Sequence, residues 1–404
     1  MNKLMKHLRV LLLFPLLLFV QTGLSAPAHV PAPKPVTEQV SIVPAPPSIA
    51  AKAYLLIDFD SGAVLAARDP DKRVEPASLT KMMTSYIVAH ELDAGKIHLD
   101  DKVTISEKAW KMPGSKMFIE VGKKVPVRDL LKGMIVQSGN DATVALAEYV
   151  AGSEEVFAQL MNQYAQKLGM THTHFVNATG LPDPNHYTTA RDLAILARAL
   201  IREFPNHYDW YKEKVFTYNG ITQYNRNKLL WQDPSVDGIK TGHTQSAGYC
   251  LVASAKRDGM RLISVVLGTD SDRKRISESR KLLNYGFRFY ETHPLYKANQ
   301  RLTDHRVWEG ATDTVAIGTP EDVYITIPRG EYKNVQPMME IPKELHAPIQ
   351  KGQQLGTLKV MLHDKVLVEK PLIALNDVQE GGFFKKLMDQ VKLLFAQMME
   401  SLGL

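Results

Sequence analysis

The stretch VEPASLTKMMTSYIVAHELDAG, residues 74–95, restricts the fold more than any other part of the chain. Leu79, Met82, Met83, Tyr86, Ile87 and His90 recur at helical spacing, and Val88 and Ala89 widen the apolar face. Pro76 stands near the start and Gly95 just past the end, as helix boundaries require. A helix apolar over so much of its circumference has to be enclosed by other layers. At its mouth Ser78 and Lys81 are three positions apart, about one turn, so hydroxyl and amine can meet on one side. Serine is a weak nucleophile until a neighbour takes its proton, and lysine can do so only where desolvation or nearby positive charge lowers its pKa. A buried helix supplies the desolvation. The alternative is a helix-start serine with a lysine pointing into water. Ser-x-x-Lys arises by chance about once or twice in 400 residues, and Ser271 to Lys274 is a second match here, so the motif alone leaves both readings open.

The chain has 404 residues, enough for two domains with ample buried surface. Cys250 is its only cysteine, which excludes an intramolecular disulfide and a cysteine-rich zinc site. A net charge of +6, scattered without a basic run or interleaved aromatics, argues against nucleic acid as a partner. Lys3, Lys6 and Arg9 precede the apolar run VLLLFPLLLFV and then Ala26-Pro27-Ala28, the pattern of a secretory signal peptide over residues 1–28. A short membrane anchor is the alternative, and either way the body is exported.

Seven prolines between Pro27 and Pro47 read as an extended tether over residues 29–50, outside the fold. AYLLIDFDSGAVLAARDP then reads as a hairpin turning at Asp60-Ser61-Gly62. From Val125 to about Ile201 the apolar spacing is mainly helical. Strands return at 238–243, 248–255 and 260–268, the last two flanking the turn Asp258-Gly259, and a helix follows from Arg273. Strands from both ends would share one antiparallel sheet with helices packed on it, an α+β domain over residues 51–292. Short β-type runs separated by Gly, Pro and charged turns predict a small all-β domain over residues 293–378. Residues 379–404 end in an amphipathic helix, with Phe384, Leu387, Met388, Val391, Leu394, Phe395 and Met398 in one stripe and Lys385, Asp389, Lys392 and Glu400 largely off it. The stripe and the neighbouring lysines suit a membrane surface; docking on protein is the alternative.

Ser138-Gly139-Asn140 stands at a predicted helix boundary and Lys240-Thr241-Gly242 on a predicted strand. Each tripeptide has roughly a one-in-ten chance of appearing in a chain of this length. With Ser78-x-x-Lys81 they resemble the penicillin-recognising serine enzymes, whose three motifs line one cleft. EPASLTKMMT, GNDA, TGLPDPNHYTTARDLA and VDGIKTGHTQSAGYCLVASA narrow the resemblance to the low-molecular-mass penicillin-binding proteins that are serine-type D-alanyl-D-alanine carboxypeptidases (peptidase family S11). LLNYGFRFYE, VYITIPRG and ELHAPIQ extend it from about residue 50 to the end.

The resemblance implies a β-lactamase/transpeptidase-like catalytic domain and a peptidoglycan stem peptide ending in D-Ala-D-Ala as substrate, with β-lactam antibiotics as covalent ligands. It implies no cofactor and no metal. By resemblance, Ser78 forms the acyl-enzyme and Lys81 is its base, its pKa lowered by burial and by Lys240. Ser138 relays the proton, and Asn140 holds the peptide and Lys81. Backbone N–H groups of Ser78 and His243, the latter following Gly242, form the oxyanion hole, while Thr241 and Arg275 receive the terminal carboxylate. The location implied is the periplasm, on the outer face of the cytoplasmic membrane.

A β-lactamase of class A is a rival, but no glutamate between Ser138 and Lys240 has Asn four residues on, the element such an enzyme uses to clear its acyl-enzyme. A non-enzymatic wall-binding scaffold would not need three intact motifs. His172-Thr173-His174 lacks the His-Glu-x-x-His pattern of a zinc peptidase. Carboxypeptidase and D,D-endopeptidase action both cleave after the same D-alanine, and both stay open.

Overall fold

The computed structural model describes residues 43–401; the expected signal peptide and most of the expected tether lie outside the described residues. The hairpin forms as β1 (Ala53–Asp58) and β2 (Val64–Arg68). A single 3-10 turn, Ala77–Thr80, leads into α1 (Lys81–Asp93). Helices α2 (Asn140–Ala151), α3 (Glu154–Lys167) and α4 (Ala190–Glu203) follow. Then come β3 (Val236–Thr244), β4 (Gly248–Arg257), β5 (Met260–Thr269) and α5 (Asp272–Phe289). The five strands form one antiparallel sheet in the order β2-β1-β5-β4-β3, so the N-terminal hairpin pairs with the last strand of the domain.

Nine successive residues of α1, Lys81 to Ala89, are buried. The helix packs against α2, α3 and α4, and Met82, Met83, Tyr86 and Ile87, with Leu79 of the preceding turn, lie in the core shared with α4, β1, β4 and β5. Its buried hydroxyls are bonded: Thr84 donates to the Ala178 carbonyl at 2.8 Å, and Ser85 meets His207 Nε2 at 2.7 Å. Helix α5 covers the opposite face of the sheet through Ile276, Leu282 and Leu283.

Two boundaries differ from expectation. Residues 43–50, read as the end of the tether, are packed: Ile49 is 1% exposed in the core under α5, and Tyr285 donates to the Pro44 carbonyl at 2.9 Å. The proline count outweighed one apolar residue in the sequence reading, but the sheet face needed that residue as cover. The second boundary lies at Tyr290 rather than 293, because the backbone turns extended at the C-cap of α5 and pairs at once as β6 (Tyr290–Tyr296).

Beyond it are β7 (Thr303–Trp308), β8 (Thr314–Gly318), β9 (Val323–Pro328), β10 (Val335–Glu340), β11 (Leu345–His346), β12 (Gln354–Leu362) and β13 (Lys365–Ala374). Strand β6 pairs with β9, and the other six form a sheet in the order β10-β12-β13-β8-β7-β11. The buried Asp58 at the end of β1 accepts from Ser61 Oγ at 2.8 Å and from Thr292 Oγ1 at 2.7 Å, joining the two domains.

Helix α6 (Phe383–Ser401) closes the described chain. It meets the β domain with its polar side: Asp389, 1% exposed, accepts from the Glu309 N–H at 3.1 Å, and Gln390 donates to Glu309 Oε1 at 2.8 Å. Its apolar stripe faces outward, with Phe384 81% and Leu394 67% exposed. No helix among the described residues is long and apolar enough to cross a membrane.

Candidate active site

The 3-10 turn explains how Ser78 and Lys81 meet, since side chains at i and i+3 eclipse in that geometry. The turn starts from Ala77 at φ +48°, a left-handed conformation that a non-glycine residue holds only when its surroundings impose it. Gly180 is part of that constraint: a Cβ there would stand 1.7 Å from the Ala77 carbonyl oxygen. Gly242 on β3 is another, because a Cβ would come within 3.0 Å of the Pro76 carbonyl oxygen. The strand therefore lies directly along the turn that carries Ser78.

Lys81 is 1% exposed. Its Nζ lies 3.1 Å from Ser78 Oγ, 2.7 Å from Asn140 Oδ1 and 2.7 Å from the Thr179 carbonyl oxygen. Burial first, and the Arg226 guanidinium second, push its pKa down to about 7. The expected partner cation was Lys240; Arg226 joins it, acting on Lys81 after burial, and because the buried Lys81 and Lys240 amines repel one another Lys240 is itself held well below the ordinary lysine range by burial and by Lys81, Arg226 and Arg275.

Ser138 follows a single π-type turn and adopts φ +65°, pointing a buried Oγ that has no hydrogen-bond partner among the described residues. Gly139 permits this turn, since a Cβ would meet Asp141 Oδ1 at 2.8 Å. Asp141 accepts from the backbone N–H groups of Met117, Phe118 and Ile119, fixing the loop beside Ser138. Asn140 was expected to hold both peptide and Lys81. Its Oδ1 faces Lys81, but its Nδ2 donates to the Pro113 carbonyl at 2.7 Å, so the amide is engaged at both ends.

Ser78, Ser138, Thr241, Gly242, His243 and Arg275 line one cleft of about 400 Å³; Arg226 and Lys228 join Arg275 in making one end cationic, and Ser115, Tyr249 and Asp272 complete the lining. Lys240 is buried on the same strand, with Nζ 3.3 Å from the Thr241 carbonyl oxygen. The His243 ring stacks on Tyr249 with centroids 4.0 Å apart. Arg275 is only 6% exposed; Nη1 donates to the Gly242 carbonyl at 3.1 Å and Nη2 pairs with Asp272. The competing match, Ser271 to Lys274, is a helix cap: Ser271 Oγ accepts from the Lys274 N–H at 3.1 Å, and the Lys274 amine turns to Asp270. His174 Nδ1 donates to the Asn185 carbonyl at 2.7 Å, and no group of three His, Cys, Asp or Glu among the described residues could hold a metal ion.

Residues 40–271 match the family described as D-alanyl-D-alanine carboxypeptidase, and residues 290–380 match that described as penicillin-binding protein 5, C-terminal domain. The chain belongs to the D-alanyl-D-alanine carboxypeptidase family. It is 47% identical over 363 residues to D-alanyl-D-alanine carboxypeptidase DacA of Escherichia coli (strain K12), covering 88% of this chain and 90% of that protein. It is 49% identical over 359 residues to D-alanyl-D-alanine carboxypeptidase DacC of the same organism, covering 87% and 90%. Penicillin binding protein 5 from Haemophilus influenzae superposes with a TM-score of 0.81 at 47% identity, over 83% of this chain and all (100%) of that one. Penicillin-Binding Protein D2 from Listeria monocytogenes in its ampicillin-bound form superposes with a TM-score of 0.56 at 32% identity, over 60% and 100%.

Two contributors to this carboxypeptidase-family site escaped the sequence reading. Arg226 sits in an unremarked polar stretch and acts on Lys81 through space. The Thr179 carbonyl is backbone, and the Gly180 beside it was the available signal.

Proposed function

We infer that Ser78 is the nucleophile of a serine-type D-alanyl-D-alanine carboxypeptidase, which removes the terminal D-alanine of peptidoglycan stem peptides through an acyl-enzyme. The observation that carries this is the bonding of Lys81. As a neutral amine, Lys81 places its two N–H groups on Asn140 Oδ1 and the Thr179 carbonyl, which leaves its lone pair toward Ser78 Oγ at 3.1 Å. A pKa near 7 makes that neutral form available at working pH.

The substrate's terminal carboxylate lies at the cationic end of the cleft, against Thr241 and Arg275. Ser78 Oγ attacks the carbonyl between the two D-alanines as Lys81 takes its proton. The oxyanion is held by the N–H groups of Ser78 and His243; removing one such donor typically costs about 10²- to 10³-fold in rate. Ser138 Oγ passes the proton to the departing D-alanine amine, and water then hydrolyses the ester. A β-lactam carbonyl enters the same way and leaves an acyl group on Ser78. No glutamate lines the cleft among the described residues, which favours slow loss of that group over β-lactamase turnover. Digesting purified peptidoglycan tests the reading. Free D-alanine should appear and vanish in Ser78→Ala, whereas cleaved cross-links without free D-alanine would favour the endopeptidase.

We also propose that α6 lies flat on the outer face of the cytoplasmic membrane. Its support is the outward apolar stripe on a helix already seated by its polar side. Fully burying a large apolar side chain contributes about 1.5 to 3 kcal/mol, so seven half-buried ones suffice to hold the enzyme there. The lysines add less than expected from the sequence. Lys385 pairs with Asp313 and Asp389, and Lys386 with Glu380.

A further inference from the structure

We infer that His186 is a positioning residue that sets the geometry of both Ser78 and Lys81. It is buried on the return arm of the 171–189 loop, and it appears in none of the three motifs. Its Nδ1 accepts from the Val176 N–H at 3.1 Å, which assigns the ring proton to Nε2. Nε2 lies 2.8 Å from Thr80 Oγ1, so Thr80 receives that proton and gives its own to the Ala77 carbonyl at 2.9 Å. The chain of donors therefore runs in one direction, from Val176 through His186 and Thr80 to the peptide bond that precedes Ser78.

Ala77 is the residue held at φ +48°, and its carbonyl also bears on Gly180. The relay thus clamps the strained start of the nucleophile turn. Its other end holds the outgoing arm of the loop, whose Ala178 and Thr179 carbonyls accept from Thr84 and Lys81. One imidazole ties together the turn bearing the nucleophile and the carbonyl that keeps the base dry and oriented. Phe175 packs edge-on against the ring at 5.6 Å, and the charged or titratable groups that act on it are Asp183 and His174 of the loop and Lys81 of α1. Burial holds the ring neutral, with a pKa near 4, so the relay keeps its direction across the working pH range.

Loss of the relay should loosen the loop, admit water to Lys81 and raise its pKa, which a purely structural histidine would not do. The test is the acylation rate by benzylpenicillin against pH, measured on the mature chain. In His186→Ala the acid limb should move up by about one pH unit, with about a fivefold loss of rate at pH 7. Thr80→Val, which removes the middle hydroxyl at nearly equal volume, should move the limb in the same direction. His186→Gln keeps an acceptor for Val176 and a donor for Thr80, and should restore the limb and the rate to within about threefold. If His186→Ala does not fold, Thr80→Val decides. An unmoved limb in the folded variants, or a His186→Gln enzyme as impaired as Thr80→Val, would overturn the inference.

Discussion

The amine of Lys81 and the carbonyl oxygen of Thr179, 98 positions apart in the chain, lie 2.7 Å from each other. A backbone carbonyl cannot exchange protons, so it accepts from Lys81 in either protonation state and keeps the amine turned toward Ser78. The free base is the species that acts, and the acylation rate should therefore follow its population: flat above about pH 8, halved near 7 and falling about tenfold per unit below about 6. Arg226→Ala removes one cation that depresses Lys81, so the limb should move to higher pH while the plateau changes by less than about threefold. Stopped-flow acylation from pH 5 to 9 reads both; a limb that stayed put or moved down would contradict the role given to Arg226.

Gly180 admits no side chain. An alanine there would bring its Cβ to 1.7 Å from the Ala77 carbonyl and sit at φ +86°. Gly180→Ala should destabilise the protein by about 2 to 4 kcal/mol and slow acylation more than it lowers the unfolding midpoint would suggest, because the strain falls on the residue before Ser78. Gly95→Ala, at φ +67° with open space around it, serves as the control and should leave acylation intact.

The penicillin adduct should map to Ser78 alone and persist. Intact-mass spectra should show it decaying over minutes or longer, and no label should appear on Ser271, whose hydroxyl is spent on a helix cap. Turnover of penicillin at many per second would return the class A β-lactamase as the better reading.

Residues 379–404 carry Lys385, Lys386 and Lys392 against Glu380, Asp389 and Glu400, so their charges cancel. A lysine free to meet anionic headgroups would add about fivefold in affinity, and three about a hundredfold. The mature chain should therefore bind zwitterionic phosphatidylcholine vesicles and vesicles with added phosphatidylglycerol within about tenfold of each other. Replacing Leu387, Leu394 and Phe395 with Asp should abolish both. Binding only to the anionic vesicles would show that the lysines dominate, and binding to neither would remove the membrane reading of α6.

The sequence by itself determined which side chains could do chemistry and on what kind of element each would sit. Apolar spacing is a local property, so it placed the buried helix behind Ser78, the hairpin at Asp60 to Gly62, the strand under Lys240 to His243 and the stripe of α6. The tertiary structure decided what those side chains can do. The base strength of Lys81 depends on burial and on Arg226, 145 positions away, and desolvation and Coulomb interactions act through space rather than along the chain. Arg275 stands in a highly charged stretch of sequence, and only the fold turns it inward against the Gly242 carbonyl. Ile49 looked like tether until the sheet required a cover, and Lys385 and Lys386 of α6 looked basic until Asp313, Glu380 and Asp389 came to meet them. The Thr179 carbonyl and the relay through His186 left no mark in any motif, because a backbone acceptor has no residue type and a hydrogen-bond chain is defined only once its members are brought together.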